Sequence, residues 1–133
     1  MSVQTVDEIR ARLTADGRYH LAAYDFIHEV LALAVERVHG SRKEGESQHV
    51  TGQDLCHAMR DLALRRWGLM ARAVLRSWGV RRTRDLGEMV YLLISIGVMG
   101  RQPSDRIEDF DDVFDFDALD RYECLAGGAE HEH

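Results

Sequence analysis

The sequence contains few cysteines, one proline and almost no lysine. Its 133 residues include two cysteines, and Lys43 is the only lysine among 17 basic residues. Cys56 and Cys124 form no Cys-x-x-Cys pair, which favours buried or idle thiols over a disulfide. The excess of arginine reflects either codon bias or a need for planar guanidinium groups that pair with carboxylates or phosphates. Pro103, the only proline, indicates a turn.

Long apolar runs are also missing. No apolar stretch approaches the ~20 residues that a membrane span needs, and the first residues resemble no secretory signal. We therefore expect a soluble, cytoplasmic protein without membrane contact. With 45% hydrophobic and 30% charged residues, the chain has the composition of one folded domain. We expect a single helical domain over residues 1–126, with a flexible connection at 39–49 and a disordered tail at 127–133.

The charges are distributed in two opposed blocks. Eight arginines and one acid lie between Arg60 and Arg84, a formal charge of +7. Nine acids, two arginines and four aromatic residues lie in residues 105–123, a formal charge of −7. A basic surface alone suggests nucleic acid, but one beside an equally acidic segment can neutralise itself or bind a similarly built neighbour. The sequence favours a protein partner or self-association over nucleic acid.

Helical periodicity covers most of the chain. Apolar residues recur at helical spacing in residues 6–13, where the pattern stops at Asp16-Gly17, and again in residues 19–38. Residues 50–55 have the spacing of a capping box with a hydrophobic staple, which predicts a helix that begins at Thr51. A further helix is expected from about Thr83 to residue 96.

Tryptophan precedes glycine twice in the basic block, at Trp67-Gly68 and Trp78-Gly79. A glycine after the last periodic residue is typical of a helix end. We therefore expect the tryptophan rings to pack at points where helices turn.

The periodicity changes after Gly97. Val98–Gln102 is a candidate strand, and Val113–Asp117 alternates apolar and acidic residues as a strand does. Helices followed by two strands have the order of a winged helix, although Phe110 and Phe114 also fit a helix. The predicted fold class is mainly α with a small β-hairpin. It is a compact helical domain, winged-helix-like in one topology, that ends in an acidic-aromatic C-terminal segment.

Several blocks of the sequence resemble a known family. They are Arg18–Phe26, His49–Leu55, Trp67–Met70, Ser77–Val80, Thr83–Glu88 and Ser104–Phe116. Together they are similar to a family of small uncharacterised bacterial proteins, over roughly Arg18 to Leu119. The resemblance implies an order of motifs, and no activity, cofactor or catalytic residue comes with it.

No residue pattern predicts a catalytic, cofactor or metal site. None of the seven histidines has the i, i+4 spacing of a helical zinc site. Asp25 and His28 lie three residues apart, so the carboxylate could orient an imidazole base, but no nucleophile motif accompanies them. We expect neither an enzyme nor a bound cofactor.

The candidate partner-binding residues come from both charge blocks: Arg81, Arg82, Arg84, Phe110, Phe114, Phe116 and Tyr122. Aromatic rings among carboxylates can bury themselves in a partner while the charges meet arginines. The same segment can instead fold back on its own arginine-bearing helices. The leading hypothesis is a non-catalytic protein-interaction or regulatory module. The alternative is a winged-helix-like nucleic-acid-binding regulator that uses the arginines between Arg60 and Arg84.

Overall fold

Helices account for most of the described chain. The computed structural model describes residues 5–41, 50–99 and 106–120. Its α-helices are α1 (Val6–Asp16), α2 (Leu21–Ser41), α3 (Gly52–Trp67), α4 (Ala71–Ser77) and α5 (Thr83–Ile96). Short 3₁₀ helices follow at Gly68–Met70, Ile107–Phe110 and Phe116–Asp120. The prediction of a mainly helical fold is confirmed. No described helix is both long and apolar enough to cross a membrane.

Helices α1 and α3 begin with the same cap. In α3, the Thr51 hydroxyl accepts from the Asp54 amide at 3.1 Å, and the Asp54 carboxylate accepts from the Thr51 amide at 2.9 Å. Thr5 and Glu8 make the equivalent pair in α1. Each box satisfies amides that lack an intrahelical partner. The start predicted at Thr51 is confirmed, as is the end of α1 at Gly17, whose φ is +75°.

Helices α2 and α3 pack antiparallel through their apolar faces. Arg37 near the end of α2 pairs with Asp61 in α3, whereas Glu29 pairs with Arg66 one turn later in α3. Partners therefore run in opposite order along the two helices. Between them lies a core of buried residues, among them Phe26, Ile27, Val30, Ala34, Leu55, Met59 and Ala63.

The two tryptophans meet beside this core, and each lies at the end of a helix, as predicted. The rings of Trp67 and Trp78 lie 5.3 Å apart in an edge-to-face arrangement, and Phe26 packs against both, at 5.0 and 5.8 Å. Such aromatic pairs stabilise packing beyond their buried area. The cluster joins the end of α3 to the end of α4.

The acidic-aromatic segment folds back onto the helices. Phe110 inserts against α5, and the Thr83 hydroxyl donates to its carbonyl and accepts from the Val113 amide. Phe116 and Leu119 are buried further along. Apolar burial and the buried Thr83 hydroxyl together fix the course of this segment.

The predicted hairpin is not found in the described residues, which contain no strand. Val113 and Phe114 form a bend, and a 3₁₀ helix begins at Phe116, so the strand predicted at Val113–Asp117 is wrong. Val98 and Met99 bend back so that their amides reach the Leu93 carbonyl. Residues 100–102 of the other predicted strand lie outside the described residues. The winged-helix arrangement therefore has no support in the described chain.

The predicted connection at 39–49 also needs correction. Residues 39–41 are the last turn of α2. The helix therefore continues beyond Val38, where its apolar stripe ends. Residues 42–49 and the predicted tail at 127–133 lie outside the described residues.

Candidate anion-binding site

The predicted aromatic residues serve the chain's own packing. Phe110 and Phe116 are buried, with 4% and 5% of their surface exposed. Phe114 is half-buried, stacks on Phe116 at 5.4 Å and lies 5.9 Å from the Arg60 guanidinium. The rings of Phe110 and Phe116 are therefore withdrawn from the surface of this fold, and that of Phe114 is partly covered. Tyr122 lies outside the described residues.

The three predicted arginines divide into two kinds. Arg84 is engaged: its Nη1 donates to both carboxylate oxygens of Asp111, at 2.9 and 3.0 Å, and this bond raises the pKa of Arg84. Arg81 and Arg82 are exposed, and no carboxylate of the described residues pairs with their side chains. Their backbone amides donate to Asp85, at 2.8 and 3.2 Å. Asp85 holds the backbone of Arg81 and Arg82, and no described carboxylate occupies their guanidinium groups. These two arginines are therefore better candidates for contact with a ligand than Arg84.

A surface depression of about 640 Å³ lies beside Arg81. It is formed where the connection between α1 and α2 meets the connection between α4 and α5. Its lining consists of Thr14, Gly17, Arg18, Tyr19, His20, Leu21, Arg76, Ser77, Trp78, Gly79 and Arg81. Three arginines and a histidine line this basic depression, and none of its lining residues is acidic. Its chemistry suits an anionic ligand.

The two connections that form the basic depression are tied together. The His20 amide donates to the Trp78 carbonyl at 3.0 Å. Gly79 has a φ of +94°, and a Cβ there would lie 2.7 Å from the Arg18 carbonyl oxygen. Only glycine permits both this backbone conformation and this approach. The walls of the depression are therefore held in place before any ligand binds.

A buried hydrogen-bond network supports the depression from below. The Tyr19 hydroxyl donates to the Asp85 carboxylate at 2.7 Å. Burial and this bond raise the pKa of Tyr19, so the phenol stays neutral over the physiological range. Asp85 also accepts the amides of Arg81 and Arg82. The Asp85 carboxylate thus accepts three hydrogen bonds from residues of the same chain.

The arginines of the depression differ in their charge environment. Arg18 bonds to Asp16 at 3.0 Å and to Glu88 at 3.2 Å, so its charge is partly neutralised. Arg76 is exposed, and within the described ranges it forms no ion pair. Arg76 and Arg81 therefore supply the uncompensated positive charge of the depression.

His20 adds a further hydrogen-bonding group at the same place. Its Nδ1 accepts the Ala22 amide at 3.0 Å, which caps the first turn of α2. In this tautomer the proton resides on Nε2, which remains a donor. The depression therefore combines guanidinium groups with an imidazole N–H.

The depression offers binding groups rather than catalytic ones. The Ser77 hydroxyl donates to the Val74 carbonyl at 2.6 Å and contacts no base among the described residues. Asp25, whose spacing would allow it to orient His28, instead contacts Arg10 at 3.4 Å. In the described ranges, no three histidine, cysteine or acidic side chains converge to hold a metal ion. The thiol of Cys56 is buried, which raises its pKa to about 12 and makes it unreactive.

Sequence reasoning found Arg81 but missed Arg18, His20 and Arg76. Arg18 and His20 lie in the α1–α2 connection and Arg76 lies near the end of α4, almost 60 residues further along the sequence, so no local spacing links them. The one local feature that pointed to this place was Gly79, the glycine after Trp78, which indicates a turn.

Comparisons with known proteins give no match: no family model, no curated protein and no solved structure matches the chain. The resemblance to a family of small bacterial proteins stays a prediction. The function must be argued from the site itself.

Proposed function

We propose that the protein is a non-catalytic interaction module that binds an acidic segment of a protein partner in the basic depression. The observation that carries this proposal is the lining: three arginines, one histidine and no acidic residue. Arg76 and Arg81 form no ion pair within the described part of the chain. A carboxylate can therefore bind them without displacing a described competitor.

The distribution of free arginines favours a short acidic segment over a nucleic acid. Several arginines of the basic block are engaged by acids of the same chain, as in Arg66–Glu29, Arg72–Asp117 and Arg84–Asp111. Duplex binding requires many cations spread along a phosphate backbone. Glu88, which bonds to Arg18 of the depression, and Asp111, which bonds to Arg84, would also repel a long polyanion.

Helix α5 also argues against the nucleic-acid alternative. In a winged helix, the helix at the position of α5, directly before the wing, would read base edges in the major groove. Its apolar residues Leu86, Met89 and Leu93 are instead buried in the core. Nucleic acid therefore remains an outcome of the test rather than the proposed ligand.

Binding of labelled ligands to the full-length protein tests the proposal. The two ligands are a glutamate-rich peptide and a DNA duplex of matched charge, each measured by fluorescence anisotropy at low and moderate salt. We expect the peptide to bind, and Arg76→Ala/Arg81→Ala to weaken its binding by about tenfold or more, the loss of about 1.4 kcal/mol. That loss is modest for two charge-assisted contacts.

The matched control is Arg37→Ala/Arg65→Ala, which removes the same charge outside the depression. We expect it to change peptide affinity by less than about twofold, because it removes only screened long-range charge and the Arg37–Asp61 pair outside the depression. Equal losses in both double variants, or preference for the duplex, would overturn the proposal.

A further inference from the structure

The surface beside the depression carries exposed apolar side chains. Leu69 and Met70 are 58% and 62% exposed, although they belong to large apolar residue types. They lie in the 3₁₀ turn that leads directly into α4. Exposed apolar residues that adjoin a polar rim are typical of interaction surfaces.

These two residues begin a continuous exposed face along α4. Ala73, Arg76 and Ser77 follow on the same side, and all are exposed. Ala71 and Leu75, on the opposite side, are buried in the core. With a rise of about 1.5 Å per residue, the seven steps from Met70 to Ser77 cover about 10 Å. This α4 face, made of Leu69, Met70, Ala73, Arg76 and Ser77, is apolar at one end and opens into the basic depression at the other.

The α4 face is rigidly held. Leu75 is almost fully buried, and Arg72 at the side of the helix bonds to Asp117 at 2.6 Å. The turn after Ser77 is fixed by the contact of Gly79 with Arg18. A surface that is ordered in advance loses little entropy when a partner binds.

We propose that the partner segment is amphipathic, with an apolar side chain on Leu69 and Met70 and acidic side chains at Arg76 and Arg81. This inference rests on the proposed function and adds the kind of segment that the site selects. Charge complementarity favours such an occupant, because the free guanidinium groups lie at one end of the α4 face only. The apolar and acidic groups must be about 10 Å apart, which corresponds to three residues of extended chain or two turns of helix.

Two synthetic peptides of equal charge test the inference with the full-length protein. One carries a leucine three residues before a cluster of glutamates, and the other has serine in place of that leucine. We expect the leucine peptide to bind about tenfold more tightly, the effect of burying one aliphatic side chain. Leu69→Ala/Met70→Ala should abolish this gain while affinity for the serine peptide stays unchanged.

The control variant is Val6→Ala, which removes an apolar side chain that is 70% exposed on α1. We expect it to keep the gain from leucine. Equal affinity of the two peptides for the unmodified protein would overturn the inference but leave the proposed function intact. If neither peptide binds, the proposed function itself fails.

Sedimentation of the free protein tests the competing occupant, a second copy of the chain. We expect a monomer at the concentrations used for peptide binding. A dimer that dissociates in Leu69→Ala/Met70→Ala would show that the α4 face is a self-association surface, and would also overturn the inference.

Discussion

At the scale of single residues, two glycines make the slot that holds the acidic-aromatic segment. A Cβ added at Gly87 would lie 2.7 Å from the Phe110 ring, and one at Gly52 would lie 3.2 Å from it. The two glycines belong to different helices, so the ring is held between α5 and the start of α3. The side chain that is absent at each position is what permits Phe110 to enter the core.

We predict that Gly87→Ala destabilises the protein by about 1–3 kcal/mol through overpacking, measured by urea unfolding. Gly40→Ala is the matched control, because a Cβ there meets nothing within 4 Å. Its higher helix propensity should give a gain of up to about 1 kcal/mol. Adding Phe110→Leu to Gly87→Ala should cost less than the sum of the two single changes. Strict additivity would show that the ring and the added methyl do not clash.

At the scale of elements, the helix starts depend on short-range hydrogen bonds. In the capping box at the start of α3, the amides of Thr51 and Asp54 each donate a hydrogen bond to the other residue's side chain. We predict that Thr51→Ala lowers the free energy of unfolding by about 1 kcal/mol, with an unchanged denaturant m-value. Gln53→Ala, at an exposed position in the same turn, should have little effect. If the two variants are equally stable, the cap does not contribute to the folded state.

The same elements show how much could be predicted from the sequence. The Thr51 cap and the ends of helices at Gly17 and Gly97 were predictable, because each depends on residues a few positions apart. The alternation in Val113–Asp117 was misleading. The alternating residues form a bend followed by a 3₁₀ helix, and this conformation brings Phe116 into the core. The bend is held by the hydrogen bond from the Val113 amide to Thr83, 30 residues away in the sequence.

The candidate site was less predictable, because it depends on contacts between residues that are far apart in the sequence. Arg81 and Arg82 stood out by composition, but only the tertiary fold shows that Asp111 pairs with Arg84 and that no carboxylate of the described residues pairs with the other two. The convergence of Arg18 with Arg76 depends on Gly79 approaching a carbonyl from another connection. Such a contact leaves no periodic trace in the sequence.

At the scale of the whole molecule, pairing within the chain decides which arginines remain available. Arg66 makes two bonds to Glu29, at 2.6 and 3.1 Å, which lower the pKa of Glu29. Arg84 is held by Asp111 in the same way. Exposed pairs of this kind add at most about 1 kcal/mol of stability. Their larger effect is on the charge that the surface presents to other molecules.

We predict that Glu29→Gln/Asp111→Asn converts the protein into a non-specific polyanion binder. The substitutions keep the shape of both side chains but remove the carboxylate that pairs with Arg66 and leave Arg84 with Glu88 alone, at 3.5 Å. Duplex DNA of random sequence should then bind more tightly, with a salt dependence steeper by about two units of slope, since each added phosphate contact contributes about 0.9. Anisotropy at several salt concentrations measures both quantities.

The control for this prediction is Asp7→Asn/Glu108→Gln. It removes the same two negative charges at exposed positions that form no ion pair within the described residues. If net charge alone governs binding, the two double variants should bind DNA equally, and the prediction fails. If the intrachain pairs withhold specific arginines, only the first variant should gain the steeper salt dependence, because only that variant releases guanidinium groups that phosphates can occupy.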